Sequence, residues 1–86
     1  MKITLKENKA MNEMKIKLFT IQQIREFVNQ VILQDFEVDL IQGRYIIDAK
    51  SIMGIFSLDL LAPITVKAHS ENCAEFFESI SEFKAD

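Results

Sequence analysis

Two glycines, one proline, one cysteine, one histidine and no tryptophan stand in a chain of 86 residues. So little glycine and proline leaves few chain breaks, and most of the sequence reads as regular structure with short connections. The lone Cys73 can close no internal disulfide. With the single His69 it leaves too few ligands for a zinc site or a Cys-His catalytic pair. One unpaired thiol fits a reducing compartment, and cytoplasm is the expected location. A spanning helix needs roughly 18 or more consecutive apolar residues, whereas the apolar runs here are a few residues long, so no membrane insertion is expected. The start MKITLKENK meets charge too early for a secretory apolar region. Disorder is excluded as well: apolar residues make up 49% and the net charge is only -3.

What remains is one small domain, able to fold alone with little stability to spare. Residues 1–34 carry six basic and three acidic side chains, and residues 35–86 carry four basic and ten acidic. No basic stripe covers one face, so nucleic acid is not an expected partner.

In residues 1–13 the alternation of Ile3 and Leu5 with Lys2, Thr4 and Lys6 is compatible with a short strand, but no cap or turn signal ties the segment down and a mobile N-terminal extension is expected. The alternation of Met14, Ile16 and Leu18 with Lys15 and Lys17 predicts a half-buried strand at the start of a domain over 14–86. Thr20 followed three residues later by Gln23 is a capping box. Ile21, Ile24, Val28 and Val31 then recur at helical spacing to about Leu33, while Gln22 and Gln23 cap and solvate the helix. Phe36, Val38 and Leu40 predict a second strand, Gln42-Gly43 a turn, and Arg44 to Ala49 the returning strand of a hairpin. Ser51 is a good N-cap for a short helix over the dense apolar stretch to Leu58. Pro63 opens a last strand through Ile64, Val66 and Ala68 to His69. Ser70 is the expected cap of a final helix with an apolar face of Cys73, Phe76, Phe77, Ile80 and Phe83. Its opposite face, Glu71, Glu75, Glu78 and Glu82, is a solvated stripe lacking the loop oxygens of a cation site.

The order is β-α-β-β-(short α)-β-α. Two amphipathic helices need one sheet face to cover, so a two-layer α+β sandwich on a four-stranded antiparallel sheet follows. The first helix joins two strands by a crossover expected to be right-handed.

The segment AKSIMGIFSL, Ala49 to Leu58, resembles the regulatory-serine motif of HPr, the small phosphocarrier of the bacterial sugar phosphotransferase system. The element order and the hairpin before the motif fit the same family over residues 14–84. The resemblance implies the open-faced β-sandwich of HPr. It also implies a regulatory phosphorylation site at Ser51 and a partner-binding patch of Lys50, Ile52, Met53 and Phe56. HPr proteins carry Gly-x-His-Ala-Arg-Pro between the first strand and first helix, and its histidine accepts phosphate. This chain has Lys17-Leu18-Phe19-Thr20-Ile21-Gln22-Gln23 at that place, with neither histidine nor proline. Phosphocarrier chemistry needs an imidazole nucleophile, and His69 falls at the far end of the last strand. A second departure is Asp59, where the family usually has glycine. Aspartate tolerates left-handed backbone better than most residues.

The resemblance therefore implies a non-enzymatic regulatory and interaction module, without cofactor or metal. Its implied partners are proteins: an HPr-type serine kinase, a transcriptional regulator or phosphotransferase-system proteins in carbon-catabolite regulation. Two alternatives stand beside it. One is phosphotransfer on a non-standard residue; the other is a structural or ligand-binding domain that kept only the fold. Exposure of the 52–56 patch discriminates the interaction module from the last.

Overall fold

Alternating apolar and polar residues in the strands give the sheet one face that must be covered, and the helices cover it. The computed structural model describes residues 12–85. Its elements are β1 (Glu13–Ile16), α1 (Ile21–Ile32), β2 (Val38–Gln42), β3 (Tyr45–Asp48), α2 (Ile52–Phe56), β4 (Ile64–Ala68), α3 (Ala74–Ser79) and a closing 3₁₀ turn, Ser81–Phe83. The four strands form one antiparallel sheet in the order β1-β4-β2-β3. This is the expected open-faced α+β sandwich. Of the expected extension, residues 1–11 lie outside the described residues, and Glu13 already belongs to β1.

Register sets the two faces. Met14 and Leu40 both lie opposite Val66, Ile16 lies opposite Ile64, and Ile47 lies opposite Leu40, all on the helix side. There they join Ile24, Phe27, Val28, Val31, Ile55 and Phe76 in one core. Glu13, Lys15, Asp39, Ile41, Ile46, Asp48, Thr65 and Lys67 occupy the opposite face by the same alternation. No polar or charged residue among those described is buried.

The capping box is present as expected: Thr20 Oγ1 accepts from Gln23 N at 3.0 Å, and Gln23 Oε1 accepts from Thr20 N at 3.3 Å. The hairpin turns at Gly43 with φ 61°, while Arg44 keeps negative φ, which makes a type II′ turn.

Several expectations are corrected. Ile21 is 60% exposed and Phe27 takes its place in the core, because the first helical position extends past the packed layer. The second strand begins at Val38, not Phe36; Phe36 instead packs edge-on against Phe76, centroids 5.9 Å apart. The third strand is confined to Tyr45–Asp48. Ser70 does not cap the last helix. Its hydroxyl accepts from Asn72 N at 3.0 Å in a local turn, and α3 starts at Ala74 with Cys73 at the N-cap position. The expected long final helix breaks at Ile80 into the 3₁₀ turn, yet all five predicted apolar residues are buried. Phe83 meets Phe27 edge-on at 6.5 Å. Asp59 takes no left-handed backbone. It is instead clamped to the hairpin, donating N–H to Gln42 Oε1 and accepting at its carbonyl from Gln42 Nε2, both at 2.8 Å.

Candidate functional site

β3 ends in a tight link that delivers the next serine to a helix start. Asp48 Oδ1 accepts from Lys50 N at 2.8 Å, and the Asp48 carbonyl accepts from Ser51 N at 3.0 Å. Ser51 has extended backbone (φ -93°, ψ 102°), and its Oγ accepts from Gly54 N at 3.0 Å. One of the N–H groups that a helix start leaves without an intrahelical partner is thereby satisfied. Gly54 is needed by close approach: a Cβ there would lie 3.1 Å from Ser51 Oγ and 3.2 Å from Ile47 Cδ1. At the other end Ser57 Oγ donates to the Gly54 carbonyl.

A five-residue helix can turn only one side inward. Ile55, fully buried, is that side, with Leu58 behind it. Ile52, Met53 and Phe56 remain 39%, 81% and 46% exposed, so the expected patch lies at the surface beside exposed Lys50 and Ser51. α2 packs against α1 and β3. Single exposed apolar residues are ordinary at a protein surface; here three lie together on one short helix.

The start of α1 is closed by its own side chains. Besides the capping box, Gln23 Oε1 accepts from Phe19 N at 2.7 Å. Phe19 itself is 69% exposed, with Lys17 Nζ 5.8 Å from its ring centroid. A hydrophobic staple would fold the residue before the cap onto Ile24, so the exposure of Phe19 and Ile21 was not legible from the pattern. Leu61 is 85% exposed, and no pattern in the sequence marks it.

His69 lies elsewhere, just past β4, where its Nε2 sits 2.8 Å from Asp39 Oδ2 on a partly exposed pair. Cys73 is buried and reduced; loss of water around it pushes its thiol pKa above the ordinary value, opposed by a smaller backbone hydrogen bond. The four glutamates are exposed. Among the described residues no group of three His, Cys, Asp or Glu side chains is placed to hold a metal ion. No helix among them is long and apolar enough to cross a membrane.

The architecture matches a solved structure. The phosphocarrier protein HPr from Bacillus anthracis str. Ames superposes with a TM-score of 0.64 over 85% of this chain and 93% of that one, at 20% sequence identity. The chain shares the HPr fold. No family model matches it, and no curated protein matches it in sequence. Within that fold, the short helix carrying Ser51 follows the hairpin, and the β1–α1 connection of Lys17 to Thr20 holds no histidine.

Proposed function

We propose that this protein is a cytoplasmic, HPr-like regulatory and protein-interaction module related to the sugar phosphotransferase system, and that it does no phosphocarrier chemistry. Ser51 is its regulatory site, and Lys50, Ile52, Met53 and Phe56 are its docking surface. The observation that carries this reading is the pairing of an exposed capping serine with three exposed apolar residues on one short helix. A purely structural domain has no use for that surface, and exposure of the patch favours interaction.

The electrostatics support a switch at Ser51 over one at Ser57. A phosphate adds about 1.5–2 negative charges. At Ser51 these fall at the positive end of the helix, beside Lys50; at Ser57 they would fall at the negative end, on a hydroxyl already donated to Gly54. The fold tolerates the modification at Ser51, and the edge of the apolar patch changes sign. Protein partners follow by the same reading: a serine kinase of the HPr type, and regulators or phosphotransferase-system proteins that distinguish the two charge states.

Treatment with an HPr-type serine kinase followed by phosphopeptide mapping tests this. Modification of Ser51 ahead of Ser57 is expected. Its absence, or modification confined to Ser57 or Ser70, reduces Ser51 to a helix cap.

A further inference from the structure

β3 is one of the two edges of the sheet. The other edge, β1, is partly sealed by the chain's own tail. Lys17 N donates to the Phe83 carbonyl and Ala85 N to the Lys15 carbonyl, both at 2.8 Å. For β3 the only such main-chain bond among the described residues is Ser51 N to the Asp48 carbonyl, at its far end. In the two-residue hairpin Gln42 and Tyr45 form the hydrogen-bonded pair next to the turn, and Ala49 N reaching the Val38 carbonyl at 2.9 Å keeps the same phase. Tyr45 and Ile47 thus bond to β2, while the backbone groups of Arg44, Ile46 and Asp48 point away from the sheet. Of these, the Asp48 carbonyl receives Ser51 N.

Edges are ordinarily protected by shortness, charged side chains, proline, a bulge or a covering segment. Tyr45-Ile46-Ile47-Asp48 is short and ends on a charge but has no proline, lysine or bulge, and Tyr45 and Ile46 are 65% and 66% exposed. The edge is also complementary to itself. Antiparallel pairing about a twofold axis at Ile46 sets Ile46 against its own copy and Arg44 against Asp48 of the other chain, twice. A shift by one residue pair in one direction sets Arg44 against Lys50, and in the other sets Ile46 against Arg44. Of these three registers the centred one alone joins opposite charges. Within its own sheet Asp48 stands across from Asp39, whose carboxylate is engaged by His69, and Asp48 Oδ1 accepts from Lys50 N at 2.8 Å, so Oδ2 is the oxygen left to meet an arginine of a second copy.

We propose that β3 is a self-association edge, at which a second copy of this chain pairs antiparallel about Ile46 and joins the two sheets into one. So short a ladder lies below the area of a standard stable interface, about 1,600 Å². The dimer is therefore weak and concentration-dependent.

Sedimentation velocity on the full chain over a concentration series should show reversible dimer. Arg44→Asp and Asp48→Arg each bring like charges together twice and should weaken it at least about tenfold. An equimolar mixture of the two variants restores both opposite-charge pairs and should recover association as a heterodimer. Amide shifts that move with concentration should centre on Arg44, Ile46 and Asp48. Because Asp48 also caps Lys50 N, circular dichroism checks the fold, and the amide shifts of the unaltered protein need no variant. A monomer at every concentration, unaffected variants, no recovery on mixing, or shifts centred on Met53 and Phe56 would each overturn the proposal.

Discussion

Replacing Ser51 separates its two roles, as a cap and as a modifiable hydroxyl. In Ser51→Ala the acceptor for Gly54 N, now at 3.0 Å, disappears. Loss of an N-cap costs about 0.5–2 kcal/mol. The site is exposed, so water can take up the freed N–H, and the lower half of that range applies: about 0.5–1 kcal/mol. In a domain this size that is a fall in melting temperature of about 2–8 °C. Ser51→Asp keeps an oxygen acceptor and adds negative charge at the helix start, so it should melt within about 0.5 kcal/mol of the parent. The expected ranking in a thermal melt followed by circular dichroism is therefore Asp equal to or above Ser, and Ser above Ala. Gly54→Ala supplies an internal check, since its new Cβ would meet Ser51 Oγ at 3.1 Å. It should destabilise the Ser51 protein more than the Ser51→Ala protein, giving a coupling of about 0.5 kcal/mol in the double-mutant cycle. A Ser51→Ala protein that melts with the parent, or a strictly additive cycle, would refute the capping geometry and the electrostatic case for Ser51 with it.

Thr20→Ala removes half of the box at the start of α1 and should cost about 1 kcal/mol in the same melt. Cys73 should resist alkylation at neutral pH until denaturant opens the core, because burial disfavours its thiolate. The raised thiol pKa carries a sign: the folded state holds the proton more tightly, so its contribution is intact below the unfolded value of 9.0 and fades above it. Incubation with phosphoenolpyruvate and the general enzyme of the phosphotransferase system should leave the intact mass unchanged. An adduct abolished by His69→Ala would place the phosphate on His69 and refute the absence of phosphocarrier chemistry.

Features written in side chains were legible in the sequence; those written in backbone were not. Thr20 with Gln23, Gly43 and Ser51 each carry a local mechanism, and all three occur where that mechanism requires. Ser70 shows the limit, because the same hydroxyl chemistry that caps a helix also closes a short turn. Phe36 continued an alternation by coincidence, since packing on Phe76 and not strand pairing is what holds it. Periodicity also overran the helix end at Ile21, which is 60% exposed. At the candidate site, the motif brought Ser51 and its neighbours into view, but the exposure of Phe19 carried no pattern. The docking of the tail on β1 rests on main-chain bonds that no residue type announces.

That tail sets an order of events during synthesis. β1 emerges from the ribosome before any strand it will pair with: its first neighbour is β4, and its outer side waits for Lys15, Ile16 and Lys17 to meet residues 83–85. α1 and the β2–β3 hairpin need only near neighbours and can form on the nascent chain, while β1 stays without its ladder until β4 and residues 83–85 have been made. The chain's earliest described strand is thus the last to be locked. A fusion placed directly after Ala85 bears on that final step, so its effect should appear in the yield of folded protein and in refolding rate before it appears in equilibrium stability.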